Sequence, residues 1–470
     1  MKLTWFSDRA SGVGACPACG HAHSTRVLKI ENPGSEVDGA VLSQCSNCSS
    51  CFYEDAARFM VNHYTEDRGG VTLAHYLQIG AGIDSMLRPI HAVEMPAGSS
   101  LLEVGCGVGF CVDYWSRVAK GEALGLEKAA YGKEGARRLG ANIRAAYLGE
   151  PGALDGRKFD IVFSSEVIEH VANPADFLRH LASAASDNGV VVLTTPAASY
   201  IQPKNPQSSV LAQLAPGFHY FVLSREALAA LLSSAGFRFV NVQEQNERLV
   251  AWASNSPFPE PDMNRLGMPR YLEYLELLSQ RTDKDLRSGA LYRLFKELVN
   301  LGQYERAQGV FEALRALSRE AYDLDIVDVP VNRVLQTSSF EEHMKRVPAW
   351  LGGLTYYAGM LFGNHHHDTR KRLTYFEAAT RILRHEIELN EMFAQEAQSL
   401  LQTSDFHYRQ SLIDNLVEEL PRALEGSWET RLRAEFAKLA NNPFVAPPAD
   451  AEQQPPRKIR LFGRKRMNGE

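Results

Sequence analysis

The chain has 470 residues, 45% of them hydrophobic, and a formal net charge of −6. That is enough apolar material for more than one core, and the acidic balance argues against a globally basic nucleic-acid binder. The longest apolar runs are strand-length rather than the roughly 18–20 residues of a membrane span, and MKLTWFSDRASG at the N-terminus lacks the apolar core of a secretion signal, so a cytoplasmic location is expected.

Residues 1–60 carry five of the seven cysteines and many turn formers. Cys16-Pro17-Ala18-Cys19-Gly20 and Cys45-Ser46-Asn47-Cys48 are two CxxC knuckles, each able to place two thiolates on one ion. Without a secretion signal, this pattern favours metal over disulfides. We therefore expect a small zinc ribbon with Cys16, Cys19, Cys45 and Cys48 as ligands. Four thiolates leave no open position, so the Zn2+ is structural. Cys51 could replace Cys48, and His21 and His23 are weaker alternatives.

Residues 70–253 alternate strand and helix patterns, which argues for an α/β region on a doubly wound parallel sheet. Strands are read at 101–104, 122–127, 142–146, 159–163, 190–194 and 237–242. Helices are read at 110–117, 131–139, 174–186 and 224–235. Ser224 is the expected N-cap of the last, with Ala227, Leu228, Leu231 and Leu232 as its apolar stripe and Gly236 as its stop. The segment Leu101-Leu102-Glu103-Val104-Gly105-Cys106-Gly107-Val108-Gly109-Phe110 reads as a buried strand, a tight glycine turn and a helix start, where backbone amides favour a negative group. Ligands of such sheets bind outside the carboxyl ends of the strands. Glu127, twenty residues past Gly107, is placed to accept hydrogen bonds from ribose hydroxyls.

Residues 254–262, with three prolines, read as a linker. From 263 to 440 the pattern is helical. Residues 291–314 resemble a tetratricopeptide-like hairpin and 350–380 a looser copy; a compact helical bundle is the alternative. The pattern over 370–401 could form an oligomerisation helix, giving self-association or a protein partner. His365-His366-His367-Asp368 reads as a polar turn, with metal binding the alternative. Residues 442–470 read as a disordered proline-rich and basic tail, whose six basic residues at 457–466 could touch anionic lipid.

Four segments, LLEVGCGVGF (101–110), GLEKA (125–129), FDIVFSSEVIEHVANPADFL (159–178) and GVVVLTTP (189–196), together resemble the class I S-adenosylmethionine-dependent methyltransferases, over about 150 residues in the same order. The resemblance implies a Rossmann-like doubly wound α/β domain at 70–253, between the zinc ribbon and the α-helical domain. It implies that Gly105, Cys106, Gly107 and Gly109 pass under the methionyl part of S-adenosyl-L-methionine. Glu103 would orient its amino group, Glu127 would hold the ribose, and Ser165 and Glu166 would lie near the methyl donor. The acid that many relatives set against adenine has only Glu150 as a candidate here, one or two positions late.

His170 is the best candidate for a general base, since its ordinary pKa near 6.5 suits proton removal around neutral pH. Glu166, Glu169 and His170 stand at i, i+3, i+4 and share a face if the segment is helical. Some phenol-methylating relatives use the EVxEHV pattern for a divalent cation, which makes these three alternative metal ligands. His170 could also only cap a helix. His219 is the second catalytic candidate, in an aromatic segment opening a helix, with Tyr200, Phe218 and Tyr220 lining an acceptor pocket.

A cysteine module ahead of such a domain resembles bacterial sugar and surface-polysaccharide methyltransferases, and also ribosomal RNA methyltransferases. Arg26 and Lys29 are countered by Glu31, Glu36 and Asp38, which favours a nucleotide sugar or glycan acceptor over nucleic acid. RNA methylation and phenolic or quinone O-methylation are the alternatives.

Overall fold

The structure is a computed structural model that describes residues 1–8, 10–60, 70–390 and 394–419. Two sheets organise it. The first is antiparallel: β1 (Lys2–Trp5), β2 (Ser24–Glu31), β3 (Val41–Cys45), β4 (Cys51–Tyr53) and β10 (Phe221–Val222), in that spatial order. The first four strands come from the cysteine-rich segment, the fifth from far along the chain. The sequence reading placed 218–224 at the opening of a helix. Instead Phe221 and Val222 pair with Phe52 and Cys51, and the helix begins at Arg225. Its cap is as expected: Ser224 Oγ accepts from Ala227 N at 3.0 Å.

The second sheet is the α/β core. It consists of β5 (Leu101–Val104), β6 (Ala123–Leu126), β7 (Ile143–Arg144), β8 (Phe159–Ser165), β9 (Ala185–Pro196), β11 (Phe239–Gln245) and β12 (Arg248–Ser254). Their order is β11-β12-β9-β8-β5-β6-β7. The chain runs outward from β5 to β7, then resumes at β8 on the other side of β5. The crevice at this switch lies beyond the carboxyl ends of β5 and β8. Side chains alternate between two buried faces: Leu101, Ile161, Phe163 and Val192 join one core, Leu102, Val104, Val162 and Leu193 the other.

The sheet is mixed, which corrects the expected all-parallel pairing. β12 runs antiparallel to both β9 and β11. Asn246, at φ 54, turns the β11–β12 hairpin. Residues Leu249–Ala253 are all buried, so the strand carries no polar alternation, and Ser254 closes it rather than opening a linker. The helix after the glycine turn is also shorter than expected: an α-helix over Phe110–Tyr114 gives way to a π-turn over Trp115–Ala119.

Beyond the sheet the chain is helical. Helices Lys284–Asn300 and Tyr304–Tyr322 flank Gly302, which takes φ 68 at the expected hairpin turn. Helices Leu351–Asn364 and Thr369–Leu389 form the second pair. The single long helix expected over 370–401 is broken, ending at Leu389 and resuming at Gln395. Tyr375, Phe376, Ala379, Ile382 and Leu383 on its inner face are buried in their own chain. The histidine run is the turn between helices, with Asp368 capping Lys371 N at 2.9 Å and His366 Nε2 bonding Gln308 Oε1 at 3.0 Å.

One hydrophobic core runs from Leu101, Ile161 and Val192 of the sheet into Tyr274, Leu286, Phe295, Phe311 and Leu354 of the helices. Polar contacts reinforce it: Arg138 binds Asp283 at 2.6 Å and Asp285 at 2.7 Å, and Tyr274 Oη donates to the Phe110 carbonyl. The expected boundary near 254–262 therefore divides the sequence but not this core. The expected tail, 442–470, lies outside the described residues. Among the described residues, no helix is long and apolar enough to cross a membrane.

Candidate active site and cysteine cluster

The loop after β5 has Gly105, Gly107 and Gly109 all at positive φ: 72, 55 and 87. L side chains resist this conformation, which is why the turn alternates glycines. A Cβ on Gly105 would come within 2.5 Å of Val167 Cγ2, and one on Gly109 within 2.6 Å of Ile143 Cδ1. Among the described residues, a Cβ on Gly107 would meet only Tyr76 Oη, at 3.9 Å. The loop thus passes close under the chain leaving β8, and Gly107 faces open space beneath Tyr76. Cys106 is different: its Sγ turns against Gly125 of β6, and its amide donates to Leu126 O at 3.1 Å. Its side chain packs the loop on the sheet rather than facing the crevice.

Two carboxylates stand at this loop. Glu103 is 3% exposed, and burial pushes its carboxyl up to about 8. Cys111 and the Val112 backbone hydrogen-bond the carboxyl and oppose the rise, while Oε2 has no hydrogen-bond partner among the described residues. Glu127 accepts from Gly107 N at 3.1 Å through Oε2 and from Ala129 N at 2.8 Å through Oε1. Burial raises its carboxyl, and these amides oppose the rise. Glu150 stands apart, ion-paired with Lys128 at 3.1 Å.

The segment after β8 does not form the helical face that the spacing of Glu166, Glu169 and His170 allows. Glu166 takes φ 55, and a 3-10 turn over Ile168–His170 follows. This sends Glu166 one way and Glu169 and His170 another. Glu166 Oε1 accepts from Thr194 Oγ1 at 2.9 Å and lies 3.8 Å from Arg248 Nε. Thr194 also bonds Ser165 Oγ at 2.7 Å. Glu169 is fully buried and accepts from Thr195 Oγ1 at 3.0 Å through Oε2.

His219, not Glu166, completes the cluster. One ligand atom from each of Glu169, His170 and His219 lies within 4.8 Å of the others. The two imidazoles meet edge-on with centroids 4.6 Å apart. His170 Nδ1 is 3.0 Å from Phe218 O and His219 Nδ1 is 2.9 Å from Gln213 O. A carbonyl only accepts, so Nδ1 carries the proton in the neutral His219 ring; the His170 ring also hydrogen-bonds the Glu166 backbone. Burial lowers the pKa of His170, and burial together with His170 brings His219 down to about 3. Burial, then the charge of Glu166, pushes Glu169 well above the usual carboxylate range. Glu169 Oε1, 4.0 Å from His219 Nε2, has no hydrogen-bond partner among the described residues.

The four cysteines singled out in the sequence also converge. Sγ atoms of Cys16, Cys19, Cys45 and Cys48 all lie within 4.8 Å of one another, with Cys16–Cys48 and Cys19–Cys45 at 3.6 Å. Cys51 is outside the group, packed in the core of the first sheet.

Residues 74–242 match the family model of a methyltransferase domain. The fold is that of a methyltransferase. The ubiquinone biosynthesis O-methyltransferase of Bradyrhizobium diazoefficiens is 26% identical over 170 residues, 35% of this chain and 64% of that protein. The mitochondrial ubiquinone biosynthesis O-methyltransferase of Arabidopsis thaliana is 58% identical over 43 residues, 9% of this chain and 13% of that one. Both matches span less than two thirds of the relative's own length. An O-methyltransferase family protein from Burkholderia thailandensis aligns in structure with a TM-score of 0.33 and 10% identity, over 41% of this chain and 63% of that one.

Four further residues of the candidate site are not marked by a motif in the sequence. Tyr76 covers the glycine loop and its ring lies 6.1 Å from that of Phe110. Thr194 and Thr195 hold the two glutamates, and Arg248 faces Glu166. The threonine pair at the polar end of an apolar strand was a usable signal. Tyr76 and Arg248 gave none, because they reach the site only through strand order and helix placement.

Proposed function

We propose that the chain is an S-adenosylmethionine-dependent methyltransferase acting on a hydroxyl group. The observation that carries this reading is the pair of carboxylates at the glycine loop, above all the buried, unpartnered Oε2 of Glu103. A buried carboxyl with one oxygen unsatisfied suits a cationic ligand group, here the amino group of the methionyl moiety. Glu127, already fixed by two backbone amides, would take the ribose diol. Bound there, S-adenosylmethionine supplies an electrophilic methyl group on a sulfonium. The chain's own part is to orient the acceptor hydroxyl and remove its proton. His170, half-buried in the turn after β8, does the latter, with its ring held by Phe218 O and kept neutral by burial.

The names of the ubiquinone relatives favour a phenolic hydroxyl, whereas a nucleotide-sugar or glycan hydroxyl rests on the cysteine module alone. The cysteine cluster fits a tetrahedral all-thiolate Zn2+ site in composition and convergence. Calorimetry with S-adenosylmethionine tests the reading: no heat of binding at millimolar cofactor overturns it. Labelled methyl transfer to catechol and to nucleotide-sugar panels then separates the acceptors, and His170→Ala should lower turnover about 100-fold.

A second reading is that Glu169, His170 and His219 hold a divalent cation. The orphan Glu169 Oε1 favours it, and His219 has the Nδ1–H to carbonyl arrangement typical of ligating histidines. It replaces the expected Glu166 with His219. Metal analysis beyond the cysteine-bound ion, and activity that survives chelation, decide between base and ligand.

A further inference from the structure

The cysteine cluster and the candidate acceptor side are one continuous hydrogen-bonded unit. β10, which begins two residues after His219, is an edge strand of two residues, too short to hold its own place. Its partner in the sheet is β4, which begins at Cys51, three residues past the ligand Cys48. Tyr53 N donates to Tyr220 O at 3.3 Å, and Tyr220 N donates to Glu169 O at 2.8 Å. Tyr53 Oη donates to Leu214 O at 3.2 Å, in the turn that also supplies Gln213 O to His219.

On the other side of β10, Ser224 N donates to Ser50 Oγ at 3.0 Å, and Ser224 Oγ donates to the carbonyl of Cys48 at 2.5 Å. Ser50 is 1% exposed and its carbonyl accepts from Cys45 N at 2.9 Å. Cys16, Cys45 and Phe52 share a core with Ile168, Phe221 and Leu223. The glycine loop has separate supports: Gly105 and Cys106 donate to Leu126 O, and Gly107 to Glu127.

We infer that a metal ion in the Cys16/Cys19/Cys45/Cys48 cluster sets the position of the acceptor loop and its His219–Glu169 pair, with Ser50, Tyr53 and Ser224 as the positioning residues that transmit it. Losing the ion frees the Cys45–Cys51 knuckle, and with it the strand β4 that pairs with β10, leaving the bridge of Leu223 to Ala197 and Ala198, while the loop under the cofactor keeps its own supports. This rests on the proposed methyltransferase reading for its meaning, but its structural core does not need activity to be tested.

The experiment is amide hydrogen exchange on the full chain, loaded with one Zn2+ or stripped of it. Stripping should speed exchange at Tyr53, Tyr220 and Ser224 by about tenfold or more, leaving Gly105, Cys106 and Gly107 within about twofold. Affinity for S-adenosylmethionine should stay within the same margin, while the acceptor KM rises. Unchanged exchange at Tyr220 and Ser224 overturns the inference, as does an equal rise at the glycine loop. Ser50→Ala guards against general unfolding of the stripped protein. It should keep its zinc and still exchange faster at Ser224; zinc retention with unchanged exchange there also overturns the inference. Failure of the zinc-loaded protein to bind S-adenosylmethionine would sink the methyltransferase reading instead, leaving the exchange result to stand alone.

Discussion

Gly107 donates its backbone amide to Glu127 Oε2 across 3.1 Å, joining the glycine loop to the acid at the end of the neighbouring strand. The two carboxyl oxygens of Glu127 are therefore already oriented, each by one backbone amide. Glu127→Ala should weaken S-adenosylmethionine binding by roughly 1.5–3 kcal/mol, a tenfold to hundredfold rise in Kd, because two backbone amides lose a charged acceptor along with the diol. Calorimetry reads this directly, and an unchanged Kd would remove Glu127 from the cofactor site.

Glu103 makes a different prediction. Its carboxyl, raised to about 8 by burial, is protonated at pH 7. An ammonium group arriving beside it favours the carboxylate and drives the proton off. Cofactor binding at pH 7 should therefore release close to one proton, seen as a dependence of the calorimetric enthalpy on the ionisation heat of the buffer. Glu103→Gln should abolish that dependence and weaken binding.

Gly105→Ala and Gly107→Ala should fail in different ways. Both place a side chain at positive φ, costing about 1–2 kcal/mol. At Gly105 the new methyl also meets Val167 at 2.5 Å, so the melting temperature should fall further. At Gly107 the methyl finds no protein atom closer than 3.9 Å. That variant should fold with the smaller loss and instead bind cofactor poorly. Equal thermal shifts for the two would contradict the geometry.

Acid should destabilise the fold through buried imidazoles. Burial pushes His91 and His343 down to about 4. A folded pKa below the unfolded value of about 6.5 means the unfolded chain binds the proton first. The stability is therefore complete above pH 6.5 and is lost as pH falls toward 4, by roughly 2–3 kcal/mol per group by pH 4.5. Urea unfolding across this window should show the slope, and His343→Gln should reduce it.

Arg138 ties the α/β sheet region to the helices that follow. Its guanidinium holds Asp283 and Asp285 at 12% side-chain exposure. Arg138→Ala leaves two half-buried carboxylates without their cation and should cost about 2–4 kcal/mol. Replacing both aspartates by asparagine in the same variant should recover part of that loss, whereas no recovery would show that Arg138 acts by packing alone.

Much of this was written locally in the sequence. The strand–glycine–helix transition at 101–110 is dictated by residues within a few positions of each other, and the three positive φ values follow from the need for a turn that only glycine adopts cheaply. The two CxxC knuckles specify their own tight turns, so the cysteines could be paired on paper. Glu127 was found by spacing, because one strand–helix–strand excursion has nearly constant length. The cap at Ser224 and its apolar stripe were likewise local.

The tertiary structure decided the rest. Nothing near β12 states that it inserts antiparallel between β9 and β11, since a strand buried on both faces carries no alternation to mark its neighbours. The spacing of Glu166, Glu169 and His170 allowed a shared helical face; the positive φ at Glu166 broke it, because Thr194 and Arg248 on other strands draw that carboxylate away. His219 comes to Glu169 from fifty residues on, carried by a two-residue strand that pairs with the cysteine module. Side chains that meet through strand pairing leave no periodic trace in the chain, so the glycine loop is legible locally while only the folded sheet order brings Glu169, His170 and His219 together.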